Sequence, residues 1–315
     1  MKKYIKVLVL LAVAVSLVAC GKGKEESSGN DDQLNIVTSF YPMYDFTKNV
    51  VGDKANISIL IDGGVDSHDY EPSAKDMAKI QDADVFVYNS NEMETWVESV
   101  LKNIDTSKVK VIEASEGIEL LEGEDHEEEH DDHDHEEEEH SHEYDPHVWL
   151  NPVLAKTEVE NISKGIIEVD SQNKTYYEEN TTKYLEELTA LDRAYQESFE
   201  NAMNKKFVTQ HMAFSYLAEQ YDLEQIAITG ISTDQEPTPK ELKTIQDLVT
   251  EEKVDYIYTE GNSSKKIAKT ISSATGAELA TLRTMETVAK KERESGVDYL
   301  SIMKDNLEAL KLSIN

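Results

Sequence analysis

Six of the nine histidines in this 315-residue chain fall in one short run, Glu122–Glu143. They are His126, His130, His133, His135, His140 and His142, set among fourteen acidic residues with no lysine or arginine between them. The other three stand apart: His68 in GGVDSHDYEPS, His147 in YDPHVWLNP and His211 in FVTQHMAFSYL. Imidazole nitrogen suits Zn2+, Cu2+ and Ni2+, whereas Mg2+ and Ca2+ want oxygen. The two settings imply two different things. A run of acids and histidines cannot bury a core, so it reads as a solvated loop that collects metal weakly and exchanges it quickly. An isolated histidine at the end of a strand is where an α/β fold places an ordered ligand. No competing catalytic pattern is present: there is no HExxH, GxSxG, phosphate loop, CxxC or GxGxxG.

The elements that must position these histidines alternate along the chain. Short β-branched runs at Asn35–Thr38, Asn56–Ile61, Asp84–Tyr88 and Val109–Ile112 are predicted strands, with helices over Pro42–Val51, Ser73–Gln81 and Trp96–Leu101 between them. Beyond the acidic run, Val153–Val169 and Asn173–Met203 are predicted helices. In the second of these Tyr184, Leu188, Leu191, Tyr195 and Phe199 recur every three or four residues and form one apolar stripe. A second series follows, with strands at Lys206–Gln210, Gln225–Thr229 and Val254–Thr259. Its helices are Phe214–Gln220, Lys240–Glu252, Lys265–Thr275 and Tyr299–Leu312. The alternation predicts parallel α/β units in two similar halves, with the long helix joining them. His68 and His147 belong to the first half and His211 to the second, so a cleft between the halves would let them meet.

The net charge of −33 excludes nucleic acid and an anionic membrane surface as partners. It favours cations. The chain opens on a basic start and a short apolar stretch, Val7–Val18, and 1–19 reads as a signal peptide. It closes on LVAC, which resembles a bacterial lipobox with the lipid on Cys20, the only cysteine. Residues 20–33 read as a flexible tether. The expected divisions are an N-terminal lobe over 34–170 containing the loop 122–143, a linking helix over 171–204, and a C-terminal lobe over 205–315.

Four stretches in order, HDYEPS (His68–Ser73), DPHVWLNP (Asp145–Pro152), HMAFSYLAEQYDL (His211–Leu223) and GISTDQEPTPKEL (Gly230–Leu242), closely resemble the zinc-specific branch of the metal-binding lipoproteins that serve ABC importers. The resemblance covers nearly all of the chain from Leu34 onward. It implies two α/β lobes linked by one rigid long helix, with a single transition metal in the cleft. His68, His147 and His211 match that family's three histidine ligands, and Glu286 best matches its carboxylate. Glu260, also placed after a strand, is the rival, and water is a further alternative for the fourth position. The resemblance implies a monomeric binding protein rather than an enzyme. It would be held by lipid at the outer face of the cell membrane, delivering Zn2+ to a permease. Manganese or iron uptake, a surface zinc buffer or adhesin, and a zinc hydrolase are the alternatives.

Overall fold

Two sheets of the same design make up the frame. In the computed structural model, residues 33–63, 65, 67–123, 144–231, 237–261 and 264–315 are described. The expected signal peptide, Cys20, nearly all of the tether, and the six histidines of the acidic run lie outside them. The first sheet contains β1 (Leu34–Thr38), β2 (Ala55–Ile59), β3 (Val85–Tyr88) and β4 (Lys110–Glu113), in the order β2-β1-β3-β4. The second contains β5 (Lys206–Thr209), β6 (Glu224–Ala227), β7 (Tyr256–Thr259) and β8 (Glu278–Thr281), in the order β6-β5-β7-β8. Every pairing is parallel, so helices must cross between strands and cover both faces. The interior strand β3 is buried at all four positions, while the edge strand β8 has none buried.

Helices, some started by a side-chain cap and others not, cross between the strands. In the first lobe these are α1 (Tyr41–Val51), α2 (Ala74–Gln81), α3 (Val97–Leu101) and α4 (Pro152–Val169). Ser73 and Asp76 form a reciprocal capping box at α2, and the Asn151 side chain caps α4. The long helix α5 (Lys174–Phe199) follows, at 26 residues and therefore about 39 Å. Its buried stripe is Tyr177, Thr181, Tyr184, Leu188, Leu191, Tyr195 and Phe199, the expected residues extended by about two turns. The second lobe holds α6 (Ser215–Gln220), α7 (Pro239–Glu251), α8 (Lys266–Thr275), α9 (Lys290–Glu294) and α10 (Tyr299–Leu310). The stripe of α5 packs against α1 and α4 on one side and α10 on the other.

Among the described residues one continuous apolar core runs through both lobes, from Ile36 to Ile314, and a smaller cluster around Val208, Val249 and Ile257 stands apart. Hydrogen bonds tie the lobes within that core. Trp149 Nε1 donates to Thr284 O at 2.7 Å, and Tyr299 Oη donates to Trp149 O at 2.6 Å. Besides Asp145, which faces His147, three described acids are buried in the first lobe and its border with α5. Burial pushes the Glu94 carboxyl up to about 7, although it accepts from the Asn89 and Ser90 backbone N–H groups. Burial likewise lifts Asp45 to about 6, and raises Glu158 well above the usual carboxylate range.

Candidate metal centre

The three isolated histidines and Glu286 come together in the cleft. His68 lies in the turn region after β2, which Gly63 enters with φ of +63°. His147 begins a single 3-10 turn, Val148–Leu150, just before α4. His211 follows β5, and its carbonyl accepts from Thr209 Oγ1 at 2.8 Å and Gln225 Nε2 at 3.0 Å. Glu286 follows β8 and succeeds Met285, a buried residue in the left-handed region with φ of +65°. Such a backbone conformation is uncommon for a side chain of this size, and it is held in the turn that presents the carboxylate. The Ser67 hydroxyl donates to the Glu286 carbonyl at 3.0 Å, so the turns carrying His68 and Glu286 are fastened together.

Donor atoms, not rings, make the contact. His68 Nε2 and His147 Nε2 are 3.3 Å apart; His147 Nε2 and His211 Nε2 each lie 3.3 Å from Glu286 Oε1. His68 Nε2 is 3.9 Å from Glu286 Oε2, and one donor atom from each residue lies within 4.8 Å of all the others. Four ligands at 2.0–2.2 Å in tetrahedral array stand about 3.3–3.6 Å from one another by simple geometry. Three of the separations, at 3.3 Å, match that array, and His68 Nε2 stands somewhat farther from Glu286. His211 Nε2 and Glu286 Oε1 are both buried and without a hydrogen bond, which a shared cation would satisfy. The donor set of nitrogen and one oxygen fits zinc or its neighbours in the transition series better than Mg2+ or Ca2+.

The far side of two rings is held by acids. His147 Nδ1 faces Asp145 Oδ1 at 2.7 Å, and the same oxygen accepts from the His147 backbone N–H at 2.9 Å. His211 Nδ1 pairs with Glu260 Oε1. An ionised carboxylate only accepts, so each Nδ1 donates to its acid and each Nε2 is the nitrogen turned toward the centre, able to offer a lone pair to a metal once its own proton is displaced. Burial works to lower the His211 pKa, but the Glu260 and Glu286 charges hold it well above the ordinary imidazole value. Asp145 and Glu286 raise His147 against burial in the same way. Burial would lift Glu286, yet contact with the imidazoles of His147 and His211 keeps it well below the usual carboxylate range. The cluster is electrostatically interlocked.

A family model described as zinc-uptake complex component A, periplasmic, matches residues 36–312, nearly the whole of the described chain. The chain belongs to the ZnuA family. Among its curated relatives is the high-affinity zinc uptake system protein ZnuA of Bacillus subtilis, 47% identical over 99% of this chain and 98% of that one. The zinc-binding lipoprotein AdcA of Streptococcus pneumoniae serotype 4 is also 47% identical, but this chain spans only 60% of its length. Among solved structures, the Zn(II)-bound ZnuA-like domain of Streptococcus pneumoniae AdcA superposes with a TM-score of 0.76 at 43% identity, covering 89% of this chain and 98% of that one. The metal-dependent lipoprotein YcdH of Bacillus subtilis gives 0.78 at 44% identity, covering 90% and 100%. The two-lobed fold with its long helix is therefore a ZnuA-family fold.

Within this ZnuA-family fold the two rival acids occupy different places. Glu286 joins the four-residue cluster, and Glu260 meets the opposite nitrogen of His211. Replacing Glu260 with alanine is expected to weaken zinc binding by about 10–100-fold while leaving one ion per chain, because it orients a donor without supplying one. Glu260→Gln should recover part of the loss, since its amide oxygen still accepts from Nδ1. Competition against a chromophoric chelator measures both; a loss of stoichiometry in Glu260→Ala would make it a ligand. Asp145 and Ser67 are functional neighbours that the sequence reading passed over. For Asp145 a signal existed: an acid two residues before a histidine in D-P-H can fold back on the histidine's own N–H.

Proposed function

We propose that this chain is the zinc-capturing, solute-binding component of an ABC importer. It holds one Zn2+ through His68, His147 and His211 Nε2 and one Glu286 oxygen. It is anchored by lipid on Cys20 at the outer face of the cell membrane and works as a monomer that passes its cargo to a permease. The observation that carries this reading is the buried set of three imidazole nitrogens and a carboxylate at tetrahedral spacing. With neutral imidazoles and an ionised Glu286, the Zn2+-loaded set carries one net positive charge. A complete shell of four protein donors suits holding and handing over an ion, whereas catalytic zinc keeps a position for water. The names of the zinc-uptake relatives support the same conclusion.

Titrating the metal-free protein with Zn2+ and Mn2+ tests it. One tightly bound Zn2+ per chain, with a rise in melting temperature that Mn2+ does not match, is the expected result. Equal or stronger stabilisation by Mn2+ would assign the chain to a different cargo. The acidic run, 122–143, is proposed to gather ions for this centre. Its flanks are joined by an antiparallel bridge between Glu122 and Tyr144, so a deletion has to keep Glu122 and Gly123. With 124–143 removed, the tight site should keep its affinity while total zinc bound, or the rate of capture from dilute solution, falls. Unchanged stoichiometry and capture rate would leave the run without a collecting role.

A further inference from the structure

Tyr216, in α6 of the second lobe, is 3% exposed, and its hydroxyl is used twice. It donates to the Asp145 carbonyl at 2.6 Å and accepts from the Leu121 backbone N–H at 2.9 Å. Asp145 N–H in turn donates to Leu121 O at 2.8 Å. One phenol therefore closes a ring of hydrogen bonds across the two flanks of the acidic run. The Tyr216 backbone is pinned as well, since its carbonyl accepts from Asn151 Nδ2 at 3.2 Å. Asn151 is also the cap of α4.

The position of Asp145 gives this ring its significance. Its carboxylate takes both the backbone N–H and the Nδ1 of His147, so wherever the Asp145 backbone is fixed, the His147 ring is fixed too. Helix α6 begins only a few residues after His211. The orientation of a first-lobe histidine is thus set from the second-lobe segment that carries another.

We propose that Tyr216 is a positioning residue for metal capture, whose hydroxyl locks Asp145 and through it His147, so that two of the four donors are registered to each other across the lobes. The proposal rests on the metal-centre reading above. Removing the hydroxyl leaves the Asp145 carbonyl and the Leu121 N–H without that partner, while the phenyl ring keeps its packing.

The test compares Tyr216→Phe with the unchanged protein and with Tyr195→Phe. The second variant loses a comparably buried tyrosine bond, to Met303 O, that touches none of the four donors or their acids. Co2+ serves as the probe, because its visible absorption reports donor geometry. In Tyr216→Phe one Co2+ should still bind, with altered absorption bands and a release rate into excess chelator about tenfold faster, in line with the loss of an outer-shell contact. In the metal-free protein the His147 backbone amide should exchange with solvent at least tenfold faster in Tyr216→Phe and at the unchanged rate in Tyr195→Phe. Bands, release rate and amide exchange that match the unchanged protein would overturn the proposal. So would equal changes in both variants, which would mark a general loss of stability. Unaltered Co2+ binding in His211→Ala would instead overturn the metal-centre reading, and so the two failures are distinct.

Discussion

Replacing His211 with alanine is expected to abolish tight zinc binding and to weaken the metal-free fold as well. The affinity should fall by more than the roughly 100-fold that loss of an outer-shell partner brings, because a donor itself is removed. The second effect comes from charge. His211 is fully buried between Glu260 and Glu286, and in the metal-free protein, where its pKa is held well above the ordinary imidazole value, its charge helps keep the buried Glu286 carboxylate ionised. Taking one partner out of such a buried set costs about 3–5 kcal/mol. Calorimetric titration with Zn2+ and a melting curve without metal read the two effects separately. Substituting His126 or His140 alone should alter neither. One tight Zn2+ per chain retained in His211→Ala would refute the assigned centre.

The metal-free and zinc-loaded proteins should respond to pH in opposite directions. Glu94 is protonated in the fold up to about 7, above its ordinary value, so the folded state binds more protons across that window. Stability without metal must therefore fall as pH rises through it. Asp45 acts the same way up to about 6. His147 and His211 are raised too; their contribution is complete below the ordinary imidazole value and is lost as pH climbs through the raised one. Asp145 and Glu286 are lowered, and their contribution is lost only in more acidic solution. Glu94 alone accounts for about 3 kcal/mol between pH 5 and 8, or some 5–10 °C in a domain of this size. Zinc, by contrast, needs neutral imidazoles and competes with their protons. The shift in melting temperature produced by zinc should grow from pH 5.5 to 8 while the metal-free melting temperature declines. Parallel trends in both forms would contradict the assignment, and Glu94→Gln should flatten the metal-free slope.

Much of this arrangement could be read from residue order. The buried stripe of α5 was visible because Tyr184, Leu188, Leu191, Tyr195 and Phe199 keep helical spacing. His68 and His211 were visible because each follows a strand that ends in a turn. Strand β8 was not, since Glu278–Thr281 is a half-polar edge strand with no fully buried side chain. An edge strand is held by backbone pairing to β7, which leaves little trace in side-chain pattern. The sequence pattern predicts the long helix through Met203, yet it ends at Phe199, where the apolar stripe runs out. The resemblance favours Glu286, but residue order alone does not separate it from Glu260, which follows the visible strand β7. What separates them is which nitrogen of one imidazole they reach, and that depends on the fold of both turns. Tyr216 carried no signal at all: it looks like a core tyrosine, and its hydroxyl matters only because Leu121 and Asp145 arrive beside it from the other lobe.

The shared core bears on how this protein is made. Trp149, Tyr195, Phe199, Phe207 and Tyr299 belong to one apolar body that neither half of the chain can complete alone. His68 and His147 are synthesised long before His211 and Glu286, and until α10 docks on α5 no surface exists to hold the two pairs at bonding distance. A nascent or truncated chain thus offers scattered histidines but no tetrahedral centre. Tight zinc binding is in effect a certificate that the last helix has reached its place.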